Sequence, residues 1–230
     1  MTETGNPGAS EAEVYWWRPL DEHHAPDTRS KILIAAYKEI HLNGFQSASL
    51  SNILAHTGVT KGALYHHFPN KTELGYAVVD EIIAATILRS FIAPLEDAED
   101  EIGALIEVIR QSGCAFSLRD VELGCPLSSL AQEMAPIDEG FRQRLSKIYD
   151  NWHDAIAGAV TRAQQKGDIL SSVNAEDVAV MVVATMEGCL SAGKISQDLH
   201  KLERCGAGLV QYLKLIQQKG DEDKTEANDG

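Results

Sequence analysis

Residues 44–74 read GFQSASLSNILAHTGVTKGALYHHFPNKTEL, and the way this stretch is punctuated decides the fold. Ser49 precedes Leu50 to His56, Thr60 precedes Lys61 to Phe68, and Asn70 precedes Lys71. Each of the three has a side-chain oxygen that can accept a hydrogen bond from the free amides of a helix's first turn. Between the first two segments lies Thr57-Gly58-Val59, where glycine can take a positive φ without steric cost. Pro69 cannot extend a helix, because its ring removes a donor and collides with the preceding turn. The stretch therefore predicts two short helices across a tight turn and a further helix opening at Asn70. Ile53 and Leu54 face inward from the first short helix, Leu64 and Phe68 from the second.

Upstream, Ile32, Ala35, Ala36 and Ile40 recur at spacings of three and four, so a helix is expected from a cap at Thr28 to about Asn43, with Gly44 as its stop. A helix followed by two short ones across a glycine turn is the helix-turn-helix arrangement, which places its second short helix in the major groove of DNA. Lys61, Gly62 and Ala63 form the first turn of that recognition helix, where small side chains allow close approach. Lys61 can reach guanine O6/N7 or a phosphate, and Ala63 can touch a thymine methyl. Tyr65 and His66 can donate to phosphates, and the amides at the Ser49, Thr60 and Asn70 caps suit phosphate oxygens.

Total charge argues against nucleic acid, but its distribution does not. Thr28 to Leu74 holds five Lys or Arg against two acids, net +3, whereas the 230-residue chain carries −14, leaving −17 elsewhere. A mildly basic segment on an acidic body fits a protein that meets phosphate at one end.

The rest of the chain reads as helix. The fourth helix is expected to extend from Asn70 towards Phe91, before a break at Pro94, with others near 99–117, 125–134, 138–166, 174–196 and 199–217. Phe141, Leu145, Ile148, Trp152, Ile156 and Val160 make one apolar stripe, and Gly167 ends it. The fold class is thus all-α: a mobile arm over 1–27 with Trp16 and Trp17 as a docking point, a helix-turn-helix domain over 28–74, a helical domain over 75–217, and a polar tail over 218–230. No uninterrupted apolar run approaches the length of a membrane span, and no secretory flank is present, so a cytoplasmic protein is expected.

The pattern Gly-Val-Thr-Lys-Gly-Ala-Leu-Tyr-His-His-Phe, then Asn-Lys-x-x-Leu, closely resembles the DNA-binding domain of TetR-family regulators. The resemblance covers about a fifth of the chain, from Ile32 to Leu74. It implies phosphate contacts at Ser49, Tyr65 and Lys71, with Lys61, Gly62, Ala63 and His66 facing bases or the groove wall. It further implies a homodimer on double-stranded operator DNA, a helical domain with a pocket for a small-molecule effector, and a four-helix dimer interface from the last two helices. Ala184, Gly188, Ala192 and Gly193 would allow close packing there. A weaker resemblance runs through LGCPLSSLAQEM (123–134) to a subfamily in which a Gly-Cys segment opens the sixth helix. Some of its members sense electrophiles or oxidants through that cysteine, which here is Cys125, where a helix N-terminus would favour the thiolate. Cys125 is either such a sensor or a wall residue.

Phe116, Met134, Tyr149, Trp152 and Met186 join Cys125 as expected pocket linings, each of which could equally serve the core. The four cysteines are widely spaced without a CxxC pair and are expected to stay reduced. Neighbouring histidines, His23-His24 and His66-His67, point apart on a helix, so no metal is expected, and no cofactor. Glu133 with Asp138 or Glu139 reads as a solvated helix end rather than a catalytic pair. An enzyme built on Cys125 and His153 is the remote alternative.

Overall fold

Asp27, one residue earlier than expected, caps the first helix. Its carboxylate accepts from the Ser30 amide at 2.7 Å in the computed structural model, which describes residues 27–217. The expected arm up to residue 26, with Trp16, Trp17, His23 and His24, and the expected tail over 218–230 lie outside the described residues. Helix α1 (Thr28–Asn43) buries Ile32, Leu33, Ala36, Tyr37 and Ile40. The three caps are where the sequence places them. Ser49 accepts from Asn52 ahead of α2 (Leu50–Ala55), Thr60 from Ala63 ahead of α3 (Lys61–His67), and Asn70 from Glu73 ahead of the next helix. Leu64 and Phe68 are buried and hold α3 against the head.

Helix α4 runs without a break over 71–96, past Pro94, where a stop was expected. It contains two π-helical stretches, Val78–Ile83 and Leu88–Ile92. The second lies immediately before Pro94, whose missing N–H and clashing ring would otherwise kink the helix. Widening there lets the backbone pass.

The body follows as α5 (Glu101–Ala115), α6 (Leu118–Leu123), α7 (Pro126–Met134), α8 (Glu139–Lys166), α9 (Ala175–Ser196) and α10 (Leu199–Ile216). Helix α6 has no clear apolar period and went unread in the sequence, although Ser117 and Asp120 cap it reciprocally. The α8 stripe is buried along its length, and Gly167 closes the helix in the left-handed region at φ 87°. Glu101, only 2% exposed, ties α5 to α8 through Lys166 at 2.9 Å.

Helices α9 and α10 form a hairpin about Gln197, a non-glycine residue at φ 49°. Cys189 and Cys205 stand eight residues either side of that turn, Cα atoms 5.8 Å apart, joined as a disulfide. The expectation of reduced cysteines fails there, because the hairpin folds a sixteen-residue separation into direct opposition. Helix α9 is also long and apolar enough by composition to cross a membrane, with an 18-residue window of mean hydropathy 1.5. No uninterrupted run marks it, because Glu187 and Lys194 intervene. Here Val178, Val182, Val183 and Leu190 are among its buried side chains, facing its helical neighbours.

Candidate functional site

The recognition helix presents one face to solvent and one to the head. Thr60, Lys61, Gly62, Tyr65 and His66 are exposed, Ala63 is half-buried, and Leu64 and Phe68 are inside. The Lys61 ammonium lies 5.9 Å from the Tyr65 ring, and among the described residues it has no acidic partner. The neighbouring sites are more engaged than their sequence suggests. The Ser49 amide donates to Glu39 at 3.0 Å, so it is not free for a phosphate, and only its hydroxyl hydrogen remains. Lys71 donates to the Gln46 carbonyl at 3.0 Å and lies over the Phe45 ring at 5.0 Å. Two of its three N–H groups are left for an outside acceptor. Arg29 is withdrawn altogether, forked onto Glu81 at 2.6 Å and stacked over Phe68.

Between head and body the contacts are close and polar. Glu133, on α7, is not a solvated helix end: its two carboxylate oxygens accept the Phe45 and Gln46 amides at 2.8 Å each. His41 meets the Gly124 carbonyl at 2.9 Å, and burial lowers its pKa to about 4. Tyr76 donates to Asp138 at 2.7 Å and packs its ring on Phe141, which also receives Phe45. A Cβ at Gly75 would overlap both the Phe45 and Phe141 rings, so only glycine lets α4 pass at this crossing.

Within the body, a cavity of about 50 Å³ lies among α4, α5, α8, α9 and α10. Phe116, Cys125, Trp152 and Met186 line it as expected, with Phe91 of α4 and Glu187 of α9 added. Met134 and Tyr149 do not line it. Met134 ends the helix whose cap is Cys125, and nine residues of helix separate the two by roughly 13 Å, too far for one small cavity. Tyr149 packs its ring beside His153, close enough to the wall that Glu187 and Cys125 act on its hydroxyl.

Two family models match the chain: "Bacterial regulatory proteins, tetR family" over residues 32–78, and "Tetracyclin repressor-like, C-terminal domain" over 101–209. The HTH-type transcriptional regulator YxaF of Bacillus subtilis is 30% identical over 158 residues, covering 64% of this chain and 81% of that protein. The chain belongs to the TetR family. A TetR transcriptional regulator from Chloroflexus aurantiacus has the same fold, at TM-score 0.72 and 26% identity over 84% of this chain and 97% of that one. SmeT, the repressor of the Stenotrophomonas maltophilia multidrug efflux pump SmeDEF, aligns at TM-score 0.64 and 25% identity, over 84% of this chain and 92% of its own. This TetR-family protein is a DNA-binding transcriptional regulator.

In this TetR-family chain Cys125 is the N-cap residue of α7, where a dipole would favour the thiolate, yet its pKa is raised well above the ordinary thiol value. Burial is the main cause, and the Glu187 carboxylate beside it the next. The Sγ–H donates to Glu187 at 3.3 Å, so its neighbour is a carboxyl group rather than the cation that stabilises a thiolate. His153 does not take that place; its ring lies against Tyr149. Among the described residues no three metal-binding side chains converge. The polar contacts that sequence reading missed are those of Glu133 and Glu187. Both are single acids within amphipathic helices, with no local signal to separate them from surface carboxylates.

Proposed function

We propose that this regulator is a repressor that binds a palindromic operator as a homodimer and is released by a small, partly hydrophobic ligand. The observation that carries the reading is α4 itself. Its first turn holds Lys71 and Leu74 beside the recognition helix, and Ile87 and Phe91 of the same helix wall the cavity. A rod roughly 30 Å long thus joins the two, at 1.5 Å per residue from position 71 to 91. The cavity holds only a few water molecules, so an effector must part its walls, and displacing Phe91 tilts the rod that carries the head. To weaken operator binding tenfold, the effector must prefer the tilted state by roughly 1.4 kcal/mol.

The dimer reading draws support from α9 and α10. Val180, Ala184, Gly188, Ala192 and Ile195 form an exposed row on α9, and Ala207, Gly208, Gln211 and Leu215 are exposed on α10. Small and apolar residues there suit close helix packing between two copies. Gly193 is not part of that row, since a side chain there would press on Val121 within the same chain. Two recognition helices in such a dimer would address half-sites about 34 Å apart.

The test is binding of the purified protein to the DNA flanking its own gene, with Lys61→Ala and Tyr65→Ala alongside. Salt-sensitive, sequence-specific binding by the wild type and its loss in both variants is the expected result. Unchanged binding in both variants would overturn the assignment of the recognition face.

A further inference from the structure

Glu187 is the acidic side chain in the wall of the central cavity; Cys125 and Ser128 both act on its carboxyl group, yet one of its two oxygens is left without a hydrogen bond. Oε1 accepts the weak Cys125 thiol, while Oε2 is buried with no hydrogen-bond partner, alone in that respect among the described residues. The Ser112 hydroxyl, also in the wall, is spent on the Val108 carbonyl at 2.7 Å. A buried acceptor without a donor costs about 1–3 kcal/mol, more when charged. Native structures seldom keep such a group unless something uses it. Around Glu187 the wall is apolar and aromatic: Phe91 and Trp152 lie 4.8 Å apart at 40°, with Phe116 and Met186 nearby.

From this juxtaposition we infer that the cavity takes a compact organic monocation, an aromatic or aliphatic amine whose N–H donates to Glu187 Oε2. The inference rests on the reading of this cavity as the effector site and names the ligand class for it. Three features of the wall argue for that class over others. A protonated amine supplies the missing donor and the opposite charge at once, and a charge-assisted bond is about twice as strong as a neutral one. The remainder of the molecule meets aromatic faces, which attract cations as well as hydrocarbon. An anion would stand against a carboxylate in a low-dielectric pocket and be rejected. Cavities that accept benzene measure about 150 Å³, so even a single ring enlarges this 50 Å³ space. Binding therefore displaces Phe91 and α4, and the charge that selects the ligand lies beside the helix that reports it.

The experiment is calorimetric titration of the full-length protein with three ring compounds of matched size: benzylamine, benzyl alcohol and benzoate. Benzylamine is expected to bind at least tenfold more tightly than benzyl alcohol, with benzoate not binding. Glu187→Gln, which keeps the shape and removes the charge, is expected to erase the preference for the amine. Glu187→Asp, which keeps the charge but withdraws it by one methylene, is expected to retain part of it. Equal binding of amine and alcohol by the wild type, or an undiminished preference in Glu187→Gln, would overturn the inference. So would failure of all three compounds to bind. In those cases intact operator binding leaves the regulator reading standing. Amine binding through Glu187 by a protein that ignores its operator would mean the reverse.

Discussion

At the recognition helix, the side chains proposed to meet DNA stand outside a seven-residue helix pinned by Leu64 and Phe68; at the cavity, those proposed to meet an effector face inward from five helices distributed over 87–209. The charges differ in the same way. Lys61 is exposed, so holding it ready costs almost nothing, whereas Glu187 is half-buried and its Oε2 is both buried and unpaired. A rigid, solvated reader can wait for DNA in one conformation. A cavity of 50 Å³ can receive more than a few water molecules only by changing shape. Under the proposed function the switch belongs to the body and the address to the head, with Glu133, His41, Gly75 and Tyr76 joining the two.

The sharpest way to break this division is Leu64→Ala. Leu64 has no solvent exposure, and such truncations cost about 2–5 kcal/mol. Hydrogen exchange should show α2 and α3 opening while the α8 amides keep their protection, with operator binding lost. Equal acceleration in α8 would make head and body one cooperative unit.

Acid probes the junction next. Because the pKa of His41 falls to about 4 on folding, from 6.5 when exposed, the unfolded chain binds the extra proton between those values. The stabilisation is complete above pH 6.5 and is lost as pH falls towards 4, by up to roughly 3 kcal/mol. Denaturant titrations at pH 7 and pH 4 should show a smaller loss in His41→Asn than in the wild type. An equal loss in both would place the acid sensitivity elsewhere.

Glu133→Gln leaves one amide of the α1–α2 turn facing an NH2 group in place of a carboxylate oxygen. A cost of about 1–2 kcal/mol is expected, from losing one of two charge-assisted bonds. Its readout is a weaker response of operator affinity to any effector, since the body then grips the head less firmly. Smallest, and opposite in sign, Gln197→Gly relieves a left-handed backbone at the α9–α10 turn and should raise stability by about 0.5–1 kcal/mol in thermal melts.

Much of the head was legible because its information is local. Ser49, Thr60 and Asn70 each accept from an amide three residues on, Gly58 turns the chain, and Leu64 and Phe68 are one turn apart. The α8 stripe was legible for the same reason. What escaped were relations between distant residues. Glu133 and Phe45 are 88 residues apart, Cys125 and Glu187 are 62 apart, and no periodicity connects either pair. The Cys189–Cys205 pairing needed the position of the turn at Gln197, and the passage of α4 beyond Pro94 needed a π-turn that composition does not announce. Cys125 shows the converse: its place at a helix cap was correctly read, but its surroundings reverse the chemistry that place suggests.

The π-turns of α4 bear on how such a chain can vary. A π-turn closes its hydrogen bonds over one residue more than an α-turn, and one residue is worth about 100° of rotation about the helix axis. Deleting a single residue from Val78–Ile83 would turn the π-turn into an α-turn and leave a continuous helix with the head at nearly the same angle relative to Phe91. The same deletion from an α-helical turn of this helix would swing the head by more than a quarter circle. Single-residue deletions within the two π-turns should therefore be easier for the protein to absorb than deletions in the α-helical turns between them.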